Sequence, residues 1–315
     1  MGLLVVIKKG ARFLRARSIL RITAKFCCLL LLCARAHASP TLAPVEHTDE
    51  HSESSRTLSG LARLTVSPVN LSGGSSLTVV SPESWSALSA VVETALQETH
   101  HRLTNLLGTL PMISTSVRLM TAAAFTRATG APEWTNALYV RGQILLPIGP
   151  EQLKDYAGVS RSVSHEYTHA VVNALSNGKA AGWLDEGFAQ WIEGEENPIL
   201  KPALYDWLSE NEPIELARLQ GGFTKLPKET VPAAYAQSLL SATIVLNTYG
   251  FEGMRRYFDE LKLGATQDEA IYLAFNSTPI EFEQRLAKTL RRWRTQQTSG
   301  QSTRASLAKD AVNVW

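Results

Sequence analysis

The sequence predicts an α+β fold, a small mixed α/β half over residues 57–150 followed by a mostly helical half over residues 151–297. Two observations carry this. Short β-prone runs bounded by Ser, Gly and Pro lie before Pro150, separated by one long helical run. From Pro150 to about residue 296 the pattern turns helical. The apolar share of 44% and charged share of 19% are those of a globular chain, and 315 residues suffice for a sizeable core.

Taken in order, residues 1–38 read as a signal peptide. They carry eight of the chain's 31 cations and no acid, and a basic stretch leads into "FCCLLLLC". Ala36 and Ala38 give a small-x-small cleavage pattern, so the expected location is periplasmic or secreted, with an organellar presequence as the alternative. The apolar run is too short to span a bilayer comfortably, and no stable membrane span is expected once the leader is removed. The net charge of +2 becomes −6 once those eight cations are set aside, so no nucleic-acid partner is expected. Cys27, Cys28 and Cys33 all fall in the leader. A chain cleaved after Ala38 has no thiolate, and any metal site must use His and carboxylates.

Residues 39–56 are rich in Ser, Thr, Pro, Glu and His and read as a flexible linker. "LARLTVSPV" and "SSLTVVSP" read as strands around a turn at "SGG". A long helix follows, with Ser81 as a candidate cap and Gly108 as its end. "ISTSVRLMT" and "ALYVRGQILLPI" read as two more strands, and residues 298–315 as a disordered tail.

The helical half opens with His165-Glu166-Tyr167-Thr168-His169, an H-E-x-x-H pattern. Positions i and i+4 share a helix face, so both imidazoles can reach one ion. Val163, Tyr167, Ala170, Val171 and Ala174 form an apolar stripe for a core, and the histidines fall opposite, facing a cleft. The alternative is a solvated helix with two exposed histidines. No histidine follows His169, so a third ligand must be a carboxylate. "SNGKAAG" can end the helix, with Gly178 as its C-cap, and "WLDEGFAQWIEG" can start another with Glu186 in its first turn. Asp185 reads as a capping residue or as a partner to a ligand. Glu193 could share the face of Glu186 but sits farther along, and it reads with Glu195 and Glu196 as surface charge.

"HEYTH" followed by "WLDEGFAQW" resembles the gluzincin clan of zinc metallopeptidases, including the peptidase MA-like proteins. "YAQSLLSATIVLNTYGFEGMRRYFDEL" is similar to the Tyr-bearing helix of that group, and "TPIEFEQRLAKTLRRW" resembles its closing helix. The resemblance implies a zincin (thermolysin-like) core, a Zn2+ ion held by His165, His169 and Glu186, Glu166 as general base, and a peptide or protein substrate. Tyr235 is the candidate donor to the oxyanion, while Tyr249 and Tyr257 read as core. The strand "ALYVRGQILLP" corresponds to the edge that pairs with substrate in these enzymes. It lacks the Gly-x-Met-Glu-Asn element of the aminopeptidases, which favours an endopeptidase. Two other expectations stay open, a non-catalytic zinc-stabilised binding module and a zinc hydrolase acting on cell-wall peptide. His100 and His101 read as surface residues, and His47 and His51 as part of the linker.

Overall fold

The structure is a computed structural model and describes residues 63–131, 135–194, 197–223 and 226–302. The expectations for residues 1–38, for the linker with its His47 and His51, and for Glu195 and Glu196 lie outside the described residues.

Strands β1 (Leu64–Asn70), β2 (Ser76–Pro82) and β3 (Ser114–Thr121) carry the first three predicted runs. The "ALYVRGQILLPI" run is not one strand. It is a hairpin of β4 (Leu138–Val140) and β5 (Gln143–Ile148). Arg141 and Gly142 both take positive φ, +50° and +75°, which is the conformation a two-residue hairpin turn requires. The sheet order is β1-β2-β3-β5-β4. β2, β3 and β5 run parallel, while β1 and β4 are antiparallel edges.

Helix α1 (Ser86–Leu107) follows β2 after a short 3-10 turn at Glu83–Trp85. Its buried Leu88, Val92, Leu96, Leu103 and Leu107 mark one face toward the core. Gly108 ends it as expected, but Ser81 does not cap it; Ser81 sits in β2, where its side chain contacts Thr65. Helix α2 (Ala122–Thr129), not foreseen from the sequence, forms part of the crossover between the parallel strands β3 and β5. Its Phe125 seals a small outer cluster with Leu138 and Leu145.

Six helices complete the described fold: α3 (Tyr156–Ser176), α4 (Gly182–Glu193), α5 (Leu200–Glu210), α6 (Val231–Leu263), α7 (Gln267–Phe275) and α8 (Pro279–Ser302). α6 breaks at Gly250, and α8 runs into the segment read as a tail from residue 298. The order, strands and one long helix first and helices after, is the expected α+β arrangement. One core joins both halves, with Val79, Val117 and Ile144 of the sheet in the same cluster as Val163, Phe188 and Phe258 of the helices. Among the described residues no helix is long and apolar enough to cross a membrane.

Candidate metal centre

α3 carries His165, Glu166 and His169, and its apolar stripe is buried as expected except at Ala174, which is half-buried. On the opposite face His165, Val172 and Ser176 are also fully covered, while Arg161 and Ser162, a turn earlier, are partly exposed. The helix ends at Asn177, which takes the left-handed conformation, rather than at Gly178. Asn tolerates that region better than other residues with a Cβ, and the N–H of Gly178 then closes on the carbonyl of Asn173 at 2.8 Å. A few residues later the chain enters α4.

α4 is held by its apolar residues. Trp183, Leu184, Phe188 and Ile192 are buried, and Trp183 packs its ring on Phe282. Gly187 lets α6 come close. A Cβ there would lie 2.1 Å from the Ser238 carbonyl oxygen, so the two backbones touch directly beside Glu186. Glu186 is the fifth residue of α4, one position past its first turn, and only 2% exposed.

These helices bring the predicted ligands together. Nε2 of His165 lies 3.6 Å from Oε2 of Glu186, and Nε2 of His169 lies 3.8 Å from the same oxygen. Those spacings are too long for hydrogen bonds. They suit ligands sharing one ion, since donors at about 2.0–2.1 Å in a tetrahedron stand roughly 3.3 Å apart. The three ligand atoms lie within 4.8 Å of one another. All three are buried without a hydrogen-bond partner, and so is Oε1 of Glu166. Orphaned buried polar atoms, three of them at one point, are costly unless something else binds them. The donor set of two imidazoles and a carboxylate fits Zn2+ with one position left open.

The outer nitrogens are already engaged. Nδ1 of His169 donates to Oδ1 of Asp185 at 2.8 Å, as the reading of Asp185 as a partner to a ligand anticipated. Nδ1 of His165 donates to Oε2 of Glu193 at 3.1 Å. This overturns the reading of Glu193 as surface charge, for its side chain is only 8% exposed. Glu193 lies seven positions after Glu186, so both fall on one helix face, and that spacing was the available signal. Each carboxylate fixes its imidazole with the proton on Nδ1, which turns the Nε2 lone pair inward.

The electrostatics ask for a cation. Burial by itself would lower the pKa of His165, but the Glu186 and Glu193 carboxylates outweigh it and hold the ring up at about 10. For His169 burial is again outweighed, by Asp185 and Glu186, and the value rises to about 9. Burial raises Glu166 to about 7, against the pull of the two histidines and of the Tyr139 N–H. A dication can replace the two imidazolium protons as the positive charge in this pocket.

Tyr235 lies in the first turns of α6 and is 3% exposed, its ring edge-on to Phe223 at 4.9 Å. Its carbonyl accepts from Nε2 of Gln190, one turn beyond Glu186 on α4. Tyr257 is fully buried and Tyr249 packs partly buried on the core. His101 is exposed as expected, but His100 is not. It is 3% exposed, and because its Nε2–H donates to the Ser72 carbonyl, its Nδ1 accepts from the Tyr167 hydroxyl at 2.8 Å. It ties α1 to the back of α3 and takes no part in the centre.

The centre thus joins a helix with two histidines, a second helix whose carboxylate reaches the same point, and a sheet edge alongside. Residues 87–290 match the sequence model of the Peptidase MA superfamily, and the chain belongs to that superfamily. No curated protein matches the chain. Among solved structures it is similar to Legionella pneumophila aminopeptidase A in complex with aspartic acid, at 15% identity and a TM-score of 0.45, covering 70% of this chain and 27% of that one. It is also similar to an M1 zinc metallopeptidase from Deinococcus radiodurans, at 14% identity and a TM-score of 0.42, covering 73% of this chain and 51% of that one. An aminopeptidase N family protein from Idiomarina loihiensis matches at 16% identity and a TM-score of 0.41, covering 69% of this chain and 44% of that one. The chain therefore spans about a quarter to a half of the length of these structures.

Proposed function

We propose that the protein is a zinc-dependent metallopeptidase that cuts peptide bonds inside polypeptide chains, exported to the periplasm or beyond. The observation that carries this reading is the convergence of three buried, partnerless atoms, Nε2 of His165, Nε2 of His169 and Oε2 of Glu186; Glu166, next in the chain to His165, has an Oε1 that is also buried and partnerless. The three converging atoms would hold the zinc. Bound there, zinc supplies a Lewis acid for the scissile carbonyl and a water of depressed pKa.

The chain's own residues do the rest. Glu166 takes a proton from the attacking water on Oε1 and returns it to the departing amine. Asp185 and Glu193 hold the imidazoles in the ligating tautomer. Tyr235 donates its hydroxyl to the oxyanion that forms as water adds. Internal cleavage is favoured because the strand before α3 lacks the Gly-x-Met-Glu-Asn element that would mark an aminopeptidase. Export rests on the basic leader with its Ala36-x-Ala38 pattern.

The test uses the zinc-loaded protein and an unstructured protein substrate, with fragments read by mass spectrometry. Internal cuts are expected, and Glu166→Gln should retain zinc while losing roughly 10²–10⁴-fold in kcat. Stepwise loss of single N-terminal residues would overturn the endopeptidase reading. Unchanged turnover in the variant would remove Glu166 from the mechanism.

A further inference from the structure

Glu166 has two carboxylate oxygens in different surroundings. Oε1 is buried without a hydrogen-bond partner. Oε2 accepts the main-chain N–H of Tyr139 at 2.6 Å. Tyr139 is the middle residue of β4, the edge strand of the sheet. It pairs across the hairpin with Ile144, while its N–H points the other way, off the edge and toward α3.

We propose that the Tyr139 N–H is a positioning group for the general base. It holds the carboxylate by Oε2, so that Oε1 is the one oxygen presented to the reacting water. This deepens the peptidase reading and rests on it. The physical need is clear from the surroundings. A glutamate has three side-chain torsions, and a buried carboxylate with neither oxygen held would be free to swing toward either imidazole. One main-chain donor on a paired strand cannot swing, because β4 is tied to β5 and the turn between them is two residues long.

A second consequence concerns the substrate. An edge strand ordinarily offers each outward N–H to an incoming extended peptide. At Tyr139 that donor is already committed to the base. The peptide must therefore take its backbone donor from another residue, and the strand at this position serves catalysis rather than anchoring.

The test separates these roles by removing the donor without the side chain. Replacing the Leu138–Tyr139 amide by an ester, with the α-hydroxy analogue of tyrosine, deletes the N–H alone. Loss of a hydrogen bond to a charged group should lower kcat by about 10- to 100-fold, with KM and zinc content little changed. A raised KM at unchanged kcat would show that the donor belongs to the substrate and overturn the proposal, as would no change in either. Tyr139→Pro is the genetic counterpart, since an outward-facing position on an edge strand tolerates proline.

A readout independent of turnover keeps the proposal separate from the peptidase reading. In the full chain labelled with 15N-tyrosine, the Tyr139 amide proton should resonate far downfield and exchange slowly. Both features should diminish in Glu166→Ala. If the amide is unremarkable and indifferent to Glu166, the hydrogen bond does not exist in solution and the proposal fails, even if the protein cuts peptides. If the amide behaves as expected but the zinc-loaded protein cuts nothing, the peptidase reading fails instead.

Discussion

Glu193→Ala removes the one partner of Nδ1 of His165 that the structure shows, and the structure sets the size of the effect. The pair spans 3.1 Å, the imidazole is fully buried, and the carboxylate is 8% exposed. A solvent-exposed pair would contribute about 0–1 kcal/mol. Here water cannot replace the lost acceptor, and a hydrogen bond to a charged group contributes about 1.5–3 kcal/mol. If that loss is felt in the orientation of Nε2, zinc affinity should fall roughly 10- to 100-fold, the usual effect of losing such a support. Asp185→Ala is the internal comparison. Its contact with His169 is shorter, at 2.8 Å, but its side chain is 23% exposed, so water can partly stand in and the loss should be smaller. The assay is competition with a chromophoric chelator across a range of chelator concentrations. A change under about threefold for Glu193→Ala would mean that the carboxylate is mere surface charge and that the reasoning from burial is wrong.

Two other outcomes are expected. The metal-free protein should lose stability as pH rises. Folding holds His165 at about 10 and His169 at about 9, above the ordinary 6.5, so their contribution is complete below about pH 6.5 and lost toward pH 9–10. Glu166, raised to about 7, acts in the same direction between about pH 4.5 and 7. Thermal melts in excess chelator should show Tm falling from pH 5 to pH 9; a flat or rising profile would contradict the charge balance described here. Tyr235→Phe should lower kcat by about 10²–10³-fold, the share of one oxyanion donor; steady-state kinetics showing a change in KM alone would assign the hydroxyl to substrate binding.

The ligands were legible because helical spacing and local order fix them. A four-residue step from His165 to His169, and an apolar helix read from Trp183, suffice to bring three donors to one point. Order along the chain gave the α+β division for the same reason, since it depends on local periodicity. What was hidden depends on tertiary contact. Glu193 looks like any helix-terminal acid until α4 folds onto α3 and buries it against His165. His100 looks like a surface histidine until Ser72 and Tyr167 close on it. The Arg141-Gly142 turn splits what reads as one strand, because the turn's signal is two residues inside a continuous apolar run. The Tyr139 N–H has no sequence signal at all, being a main-chain group that every residue but proline possesses.

The central claim is that one ion is shared by two imidazoles of α3 and one carboxylate of α4. Diffraction from crystals grown with zinc, recorded on both sides of the zinc absorption edge, tests it most directly. The account predicts a single strong anomalous peak bonded at about 2.0–2.2 Å to Nε2 of His165, Nε2 of His169 and an oxygen of Glu186. A peak elsewhere, or a Glu186 carboxylate turned away from the imidazoles with zinc present, would contradict it.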